Sequence, residues 1–571
     1  REFWGDKSEM RRFKDGTIHE AALWTSSPCQ SSRRLVCKNI VQYVLQRHCG
    51  IPRSSVHYMT GKLDLLLHLN LPKDGNQNYG TGEEQSLAVI RAYDDVNRTV
   101  RALTTLPLSI HSVQGIHPVF RHSDVFPALP APLVKDEANI VSGHVMPEEG
   151  ILPQFVPALS VICMLESSGK WPEEPEAVKC LKALFHIKMG KELKEKHLLP
   201  VSVHKTHVDV LKGGFVFRLK MANTRELAVL RTVKSDSGMI KFRETDEAAA
   251  LEKEIIALPH LTSLLHGLHQ EHPAYSATVR LCKRWIASQM VWDLLREEAT
   301  ELMVAYMFIS PHPCTAPADP GVGLMRFLHL LSSFNWKADP LIVNLNKEFL
   351  EQDFSDIPRD FTKNRTTLPC MCIATPQDKT GTKWTRPSPS ESHLQRLILL
   401  ARESLKILDK QMMTEFASSD LKMIFRPPIE NFDLVIRLLK KANVVCHQSV
   451  DGRHEILTSS GDKSSSDNQP VPVTEFNIVR KFLHDLQSIF GDIAMFFHDP
   501  FGGNVIGMVW RKQQLDKKDF KPSLFPYRKP VIGENEVISL EIQKESILDD
   551  IRILGGGIVE CIEHPQRSSC C

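Results

Sequence analysis

The chain has 571 residues, of which 42% are hydrophobic and 24% charged, and its 70 basic and 68 acidic side chains leave a formal net charge of +2. This length is too great for one hydrophobic core and predicts several folded domains. The near-neutral balance excludes a surface devoted throughout to nucleic acid, so any RNA binding must be local. No apolar run reaches the roughly 18 residues of a membrane span, so no membrane partner is expected. The 13 cysteines are scattered, which favours a reducing compartment.

Residues 1–72 are predicted to be the end of a preceding domain. Apolar residues recur at helical spacing over about 33–47, which predicts a helix there. The polar, Gly-rich segment 73–82 is predicted to be a loop. Because the chain opens at Arg1 without an initiator Met, we expect it to be a piece of a longer protein.

Residues 83–271 are predicted to form an α/β domain with its core over about 140–270. Prolines interrupt the chain after the first helix, and Gly213-Gly214 separates two alternating apolar runs. The expected core elements are a helix at 174–193, strands at 208–211 and 214–221, and a helix at 248–256.

Residues 272–429 are predicted to be a mostly helical domain. Within 276–308, bulky apolar residues repeat at three- and four-residue steps, which predicts one buried helix face. The residues of this stripe are Leu281, Trp285, Trp292 and Leu295. Further buried helices are expected at 324–336 and 392–413, so helix packing dominates this domain.

Residues 430–571 are predicted to form a small α/β sandwich. A Ser-rich segment, 459–468, is typical of a loop. Around it the expected order is a strand at 432–437, a helix at 475–490, and strands at 494–498 and 504–510.

The sequence lacks the residues that nucleotidyl transfer requires. That reaction uses two or three carboxylates on neighbouring strands to hold divalent ions, and a Gly-Ser turn to cradle phosphates. None of the 29 glycines is followed by Ser, and no Asp begins Asp-x-Asp or Asp-x-Glu. Asp64, Asp209 and Asp433 are expected at the mouth of a sheet, but a lone Asp cannot hold two ions. We therefore predict no catalytic residue, no cofactor and no small-molecule substrate.

A run of histidines invites a metal interpretation: His260, His266, His269 and His272. Imidazoles three residues apart share a helix face and could bind zinc. No Cys lies nearby, however, and the end of the run looks solvent-facing, so ordinary histidines are the favoured interpretation. No metal site is predicted.

Several segments resemble the Nrap family of nucleolar proteins. The residues that carry the resemblance are FWGDKSEMRRFKDG at 3–16, ATP at 374–376 with WT at 384–385, and TEF at 474–476 with FHDPFGGNVIG at 497–507. The resemblance covers nearly the whole chain and implies that it is roughly the C-terminal half of such a protein.

What the resemblance implies about the fold is a set of tandem domains similar to archaeal CCA-adding enzymes and poly(A) polymerases. The expected fold class is α/β and α+β multi-domain, with a nucleotidyltransferase-like head at about 140–270. A poly(A) polymerase/oligoadenylate-synthetase-like helical domain would follow, beginning near 280–286. The C-terminal α/β sandwich would complete the chain.

What the resemblance implies about function is a non-catalytic scaffold of the small-subunit processome in the nucleus and nucleolus. Its partners would be pre-18S rRNA, small nucleolar ribonucleoprotein assembly factors and other processome proteins, in 18S rRNA maturation and biogenesis of the 40S subunit. An enzyme fold without its carboxylates would keep a positively lined groove for RNA. The residues expected to contact RNA are Arg11, Arg12, Lys14, Lys283, Arg284, Arg511, Lys512, Lys517 and Lys518.

Two other functions stay open. The chain could be the RNA-binding body of a template-independent nucleotidyltransferase, CCA-adding or poly(A) polymerase-like, whose active head lies in the missing half. Alternatively, the near-neutral charge is compatible with an adaptor that binds only proteins.

Overall fold

The fold is that of a computed structural model of the chain. It describes residues 2–24, 35–56, 58, 61–67, 83–131, 140–141, 144–145, 155–168, 171–234, 240–386, 388–413, 421–451, 471–516, 518–519, 527–532 and 538–565. Within these ranges, no helix combines the length and apolar character needed to cross a bilayer.

The N-terminal part is a hairpin packed near one helix. Strands β1 (Ser8–Arg12) and β2 (Ile18–Ala22) pair in antiparallel fashion, and helix α1 spans Val36–Cys49. The ring of Trp4 lies edge-on to Trp24, with centroids 5.4 Å apart. The hairpin was not predicted because its outward-facing strands lack the hydrophobic alternation of a half-buried sheet.

A five-stranded sheet forms the centre of the second domain. Its strands are β3 (Ile110–Gly115), β6 (Ala158–Leu165), β7 (Val201–Val203), β8 (Val208–Lys212) and β9 (Phe215–Ala222). They lie in the order β3-β6-β9-β8-β7, with β6 and β9 parallel and the other neighbours antiparallel. Two short antiparallel pairs are β4 (Ile140–Val141) with β5 (His144–Val145) and β10 (Thr232–Lys234) with β11 (Ile240–Phe242). The helices are α2 (Glu84–Arg101), α3 (Pro175–His197) and α4 (Thr224–Arg231).

The predicted turn at Gly213-Gly214 joins β8 to β9. Its two residues have φ of +60° and +82°, a left-handed backbone that glycine adopts without strain. A Cβ at Gly214 would also lie 2.7 Å from the Cβ of Pro130. The glycine pair therefore permits both the turn and its close packing.

A helical body follows the sheet and contains the largest hydrophobic core, around the fully buried Trp285. Its elements are α5 (Asp246–Glu252), a π-helical turn (Lys253–Ala257), α6 (Leu258–Glu271), α7 (Ala274–Ser288), α8 (Glu297–Ile309), α9 (Pro320–Ser333), α10 (Asp353–Asn364) and α11 (Glu391–Met413), with the short parallel pair β12 (Leu341–Ile342) and β13 (Ile373–Ala374).

The C-terminal domain packs helices against an antiparallel sheet. Its elements are β14 (Leu434–Leu438), α12 (Ile478–Phe490), β15 (Ala494–His498), β16 (Val505–Trp510), α13 (Lys512–Leu515), β17 (Lys518–Asp519), β18 (Arg528–Ile532), β19 (Ile538–Ile542), α14 (Lys544–Leu554) and β20 (Val559–Glu563). The antiparallel sheet has the strand order β15-β16-β14-β20. Strands β17, β19 and β18 form a second, three-stranded sheet. The predicted loops at 73–82 and 459–468 lie outside the described residues.

Three local predictions are corrected. The stripe over 276–308 is not one helix face, because α7 ends at Ser288 and Met290 takes a left-handed φ of 58°. The helix expected from 475 begins at Ile478, since Glu475 has a φ of 58° and the Asn477 side chain caps the helix by accepting from Arg480 N at 3.1 Å. Asp64 begins the 3₁₀ turn Asp64–Leu66 rather than lying at a sheet mouth.

Candidate functional site

The predicted basic residues near the N-terminus remain at the surface. Arg11, Arg12 and Lys14 lie on β1 and the turn that follows it, and all three are exposed. The guanidinium of Arg11 also contacts Glu9, with Nη2 and Oε1 2.9 Å apart. Since exposed ion pairs are weak, Arg11 stays available to an incoming phosphate.

The predicted basic residues near the C-terminus are also exposed where they are described. Arg511 and Lys512 stand at the end of β16 and the start of α13, and Nε of Arg511 donates to the carbonyl of Gly491 at 2.8 Å. Lys517 lies outside the described residues. The backbone of Lys518 pairs with Leu540 in the second sheet, but its side chain is not among those described.

Lys283 and Arg284 are a correction, because both are buried at domain junctions. The Nζ of Lys283 lies 2.6 Å from Oε1 of Glu301 and 2.8 Å from Oε2 of Glu297. The guanidinium of Arg284 donates to Asp499 from the next domain. A buried cation already paired with carboxylates cannot reach a phosphate, so these two residues leave the set expected to contact RNA. Nothing in their basic character signals this burial.

Glu301 is the hub of a buried polar cluster between the sheet domain and the helical body. Its carboxylate accepts from Nε of Arg121 at 2.7 Å and from the Ser123 hydroxyl at 2.6 Å, in addition to Lys283. Burial alone would raise the pKa of Glu301, but the charges of Arg121 and Lys283 and their hydrogen bonds lower it to about 2. The cluster is therefore charged and paired at neutral pH.

Asp209 is the one carboxylate on the five strands of the central sheet. Arg218 lies opposite Asp209 in the pairing of β8 with β9 and donates two hydrogen bonds to its carboxylate. Both the Nε to Oδ1 and the Nη2 to Oδ2 distances are 3.0 Å. Arg218 also contacts Glu475 of the C-terminal domain, with Nη1 and Oε2 2.7 Å apart. The carboxylate that sequence analysis singled out is thus neutralised by an arginine and forms part of a domain contact.

The third carboxylate considered, Asp433, has a local structural role. It precedes β14, and its Oδ2 accepts from the backbone N–H of Trp510 at 2.8 Å. Asp209 lies on the central sheet, Asp433 comes directly before a strand of the C-terminal sheet, and Asp64 lies in neither sheet. The structure does not bring these three carboxylates together.

The three domains enclose a cleft of about 370 Å³. Its charged lining is mainly acidic, with four carboxylates, of Asp124, Asp293, Glu297 and Glu475, and one guanidinium, of Arg480. Burial, and then the negative charge of Glu297, raises the pKa of Asp124 to about 7. Burial and the neighbouring Arg121 and Lys283 lower the pKa of His117 to about 3, so it adds no positive charge at neutral pH. The positively lined groove expected from the fold is therefore wrong for this cleft.

The histidine run is part of a packed interface. The rings of His266 and His269 stack on His122, with centroids 5.3 and 4.1 Å away. Burial, followed by these two neighbours, lowers the pKa of His122 to about 3. A different group has convergent ligand atoms: within the described ranges, His204, His207 and Asp209 place theirs within 4.8 Å of one another. This group was not predicted, although His-x-x-His-x-Asp around a hairpin turn is a readable signal in the sequence.

The mixed sheet, the helical body that follows it and the second α/β domain define a nucleotidyltransferase-like protein. The strands of the first sheet carry one carboxylate, that of Asp209. The chain belongs to the Nrap family. Residues 62–270 match the Nrap protein nucleotidyltransferase domain 4, and 272–427 match the Nrap protein PAP/OAS1-like domain 5. Residues 429–562 match Nrap protein domain 6, and 1–50 match domain 3.

Relatives named Nucleolar protein 6 match along almost the whole chain. The protein of Xenopus tropicalis is 40% identical over 573 residues, covering 99% of this chain and 49% of that protein. The Homo sapiens protein is 37% identical over 570 residues, with the same coverage of 99% and 49%. The chain thus spans about half the length of these relatives. Membership of this family of nucleolar proteins assigns the chain to the nucleolus.

Solved structures match more remotely. A structure of Cid1, described there with RNA terminal uridylyl transferase activity, is 9% identical with a TM-score of 0.34, and the match covers 60% of this chain and 93% of that one.

Proposed function

We propose that the chain is a non-catalytic, RNA-binding scaffold in the nucleolar assembly of the small ribosomal subunit. Its partners would be pre-18S rRNA, small nucleolar ribonucleoprotein assembly factors and other processome proteins. The nucleolar family and the nucleotidyltransferase-like fold support this role together. We also propose that the chain divides at the boundaries predicted from its sequence, with units at 1–72, 83–271, 272–429 and 430–571.

The observation that carries the non-catalytic proposal is the environment of Asp209. Two-metal phosphoryl chemistry needs carboxylates that stay free to hold divalent ions about 4 Å apart. Asp209 is the one carboxylate on the strands of its sheet, and both of its oxygens accept hydrogen bonds from Arg218. A single carboxylate cannot hold the two divalent ions of that chemistry, so the sheet supports binding rather than nucleotidyl transfer.

The domain contacts support a scaffold role. Glu301 of the helical body pairs with Arg121 of the sheet domain at 2.7 Å, and Arg218 of the sheet domain pairs with Glu475 of the C-terminal domain at 2.7 Å. Such links between three domains hold exposed surfaces in fixed relative positions. RNA would bind at the exposed basic residues outside the acidic cleft: Arg11, Arg12, Lys14, Arg511 and Lys512, with Lys517 and Lys518 beside them in sequence.

The experiment that tests this role is crosslinking of the tagged full-length protein in cells, followed by sequencing of the recovered RNA. Enrichment of small-subunit rRNA precursor is expected. Recovery of transfer or messenger RNA 3′ ends would contradict the scaffold and favour a nucleotidyltransferase.

A second assay addresses catalysis directly. Full-length protein is incubated with labelled nucleotides, Mg²⁺ or Mn²⁺ and an RNA primer, alongside the variant Asp209→Asn. No incorporation above background is expected in either. Incorporation that disappears in the Asp209→Asn variant would overturn the non-catalytic proposal.

Recovery of bound proteins without any RNA affinity at low salt would instead favour an adaptor that binds only proteins.

A further inference from the structure

A tight turn between β7 and β8 brings two histidines together. The backbone N–H of His204 donates to the carbonyl of His207 at 2.9 Å, and the two rings stack with centroids 4.5 Å apart. Asp209 lies on β8, two residues beyond His207, which comes directly before that strand. The turn therefore assembles two imidazoles and one carboxylate, with their ligand atoms all within 4.8 Å of one another.

We propose that His204, His207 and Asp209 bind a Zn²⁺ ion. Imidazole nitrogen and carboxylate oxygen are both zinc donors, and two imidazoles favour zinc over the harder Mg²⁺ and Ca²⁺. Three protein ligands leave one tetrahedral position for water. Neither the family nor the proposed scaffold role assigns an ion to this turn.

The separation of His207 and Asp209 suits a shared ion better than a direct contact. Nε2 of His207 is 3.6 Å from Oδ1 of Asp209, which is too long for a hydrogen bond. Two ligands on a tetrahedral zinc, each about 2.0–2.1 Å from the metal, lie about 3.3 Å apart. The ring of His204, now stacked on His207, must turn about its side-chain torsions to complete the set.

The hydrogen bonds around the ligands leave the required lone pairs free. The Thr206 hydroxyl lies 2.9 Å from Nδ1 of His207, so Nε2 remains for the ion. The Ser202 hydroxyl lies 3.1 Å from Nε2 of His204, which leaves Nδ1. Arg218 donates to both oxygens of Asp209, but a carboxylate offers about four lone-pair sites, so it can still bind a metal.

The neighbouring space can hold the fourth ligand. Thr206, His207 and Arg218 line a cavity of about 400 Å³ together with Lys220. A water molecule on the ion would enter from this side. The cation would offset part of the negative charge of Asp209 and Glu475, both of which contact Arg218. It would fasten the β7–β8 turn to the sheet.

The test is metal binding by the metal-free, otherwise unaltered chain. Co²⁺ serves as the probe because its visible absorption reports ligand type, and Zn²⁺ is then titrated in competition. One equivalent is expected, with the spectrum of nitrogen and oxygen ligands. Absorption typical of thiolate ligands would show that cysteines bind instead and would overturn the assignment.

Variants locate the site. The double variant His204→Asn/His207→Asn is expected to lose the bound equivalent of metal ion. The variant Thr206→Ala should weaken Zn²⁺ binding about 10- to 100-fold, because it no longer orients His207. The matched control is His19→Asn, an exposed histidine on β2, which should bind as the parent does. If the double variant misfolds, the Thr206→Ala affinity and the parent spectrum still decide. If the folded double variant still binds one equivalent of metal ion, the proposal is refuted.

Discussion

Arg284 of the helical body and Asp499 of the C-terminal domain form a buried ion pair, with Nη1 and Oδ2 3.0 Å apart. The guanidinium also lies over the rings of Phe126 and Phe501, with its carbon 5.6 and 5.7 Å from their centroids. Its Nη2 donates to the carbonyl of Gln448 at 2.8 Å. Because Phe126 belongs to the sheet domain, one fully buried side chain contacts all three domains.

Replacing Arg284 by Met should therefore destabilise the chain strongly. The change leaves Asp499 buried without its cation, which costs about 3–5 kcal/mol in comparable buried pairs. Denaturant unfolding followed by fluorescence measures the loss, and limited proteolysis reports separation of the C-terminal domain. The control is Arg359→Met, which breaks an exposed pair with Asp356 and should change the free energy of unfolding by less than about 1 kcal/mol. Equal losses in the two variants would contradict the bridging role.

Glu301→Gln tests the polar cluster between the sheet domain and the helical body. The pKa of Glu301 is lowered to about 2 in the folded state from an ordinary 4.5, so its charge stabilises the fold above about pH 4.5. That stability is lost as the pH falls toward 2. The free energies of unfolding of parent and variant should thus differ most near neutral pH and converge in acid. A difference that does not depend on pH would show that shape, rather than charge, matters at this position.

Asp124→Asn should have the opposite pH dependence. Because the folded-state pKa of Asp124 is raised from 3.8 to about 7, ionisation of this buried carboxyl opposes folding as the pH rises through that interval. The variant should gain stability relative to the parent, by up to a few kcal/mol above pH 7, and little at pH 4. Urea unfolding at the two pH values measures it. A variant less stable than the parent at pH 8 would mean that the charges of Lys283 and Arg280 outweigh the cost of burying the ionised Asp124.

Charge reversal tests the proposed RNA surfaces. We expect Arg511→Glu/Lys512→Glu, and separately Arg11→Glu/Arg12→Glu, to weaken binding to a small-subunit rRNA precursor. Each phosphate that the variant no longer neutralises should also flatten the plot of log affinity against log salt by about 0.7–0.9. Lys406→Glu, at an exposed position paired with Glu403, serves as control. An unchanged affinity and slope in both double variants would remove these residues from the interface.

Local patterns determined much of the architecture in advance. Alternating apolar residues on both sides of Gly213-Gly214 placed β8 and β9 to within one residue at each end, because a strand with a buried face imposes a period of two wherever it occurs. The absence of an Asp-x-Asp or Asp-x-Glu motif was equally a property of the sequence. A predicted helix boundary was wrong where a single residue adopts a left-handed backbone conformation, as Met290 does after α7.

Only the tertiary structure decided which charged residues face solvent. Lys283, Arg284 and Arg511 are alike as cations in the sequence, yet the first two are buried and the third is exposed. Arg284 and Asp499 are 215 residues apart, and His204 meets Asp209 only through a hairpin turn. Periodicity reports the burial of apolar faces, which is a local property. The pairing of a buried cation depends on the carboxylate that a distant segment brings to it, and no local pattern encodes that.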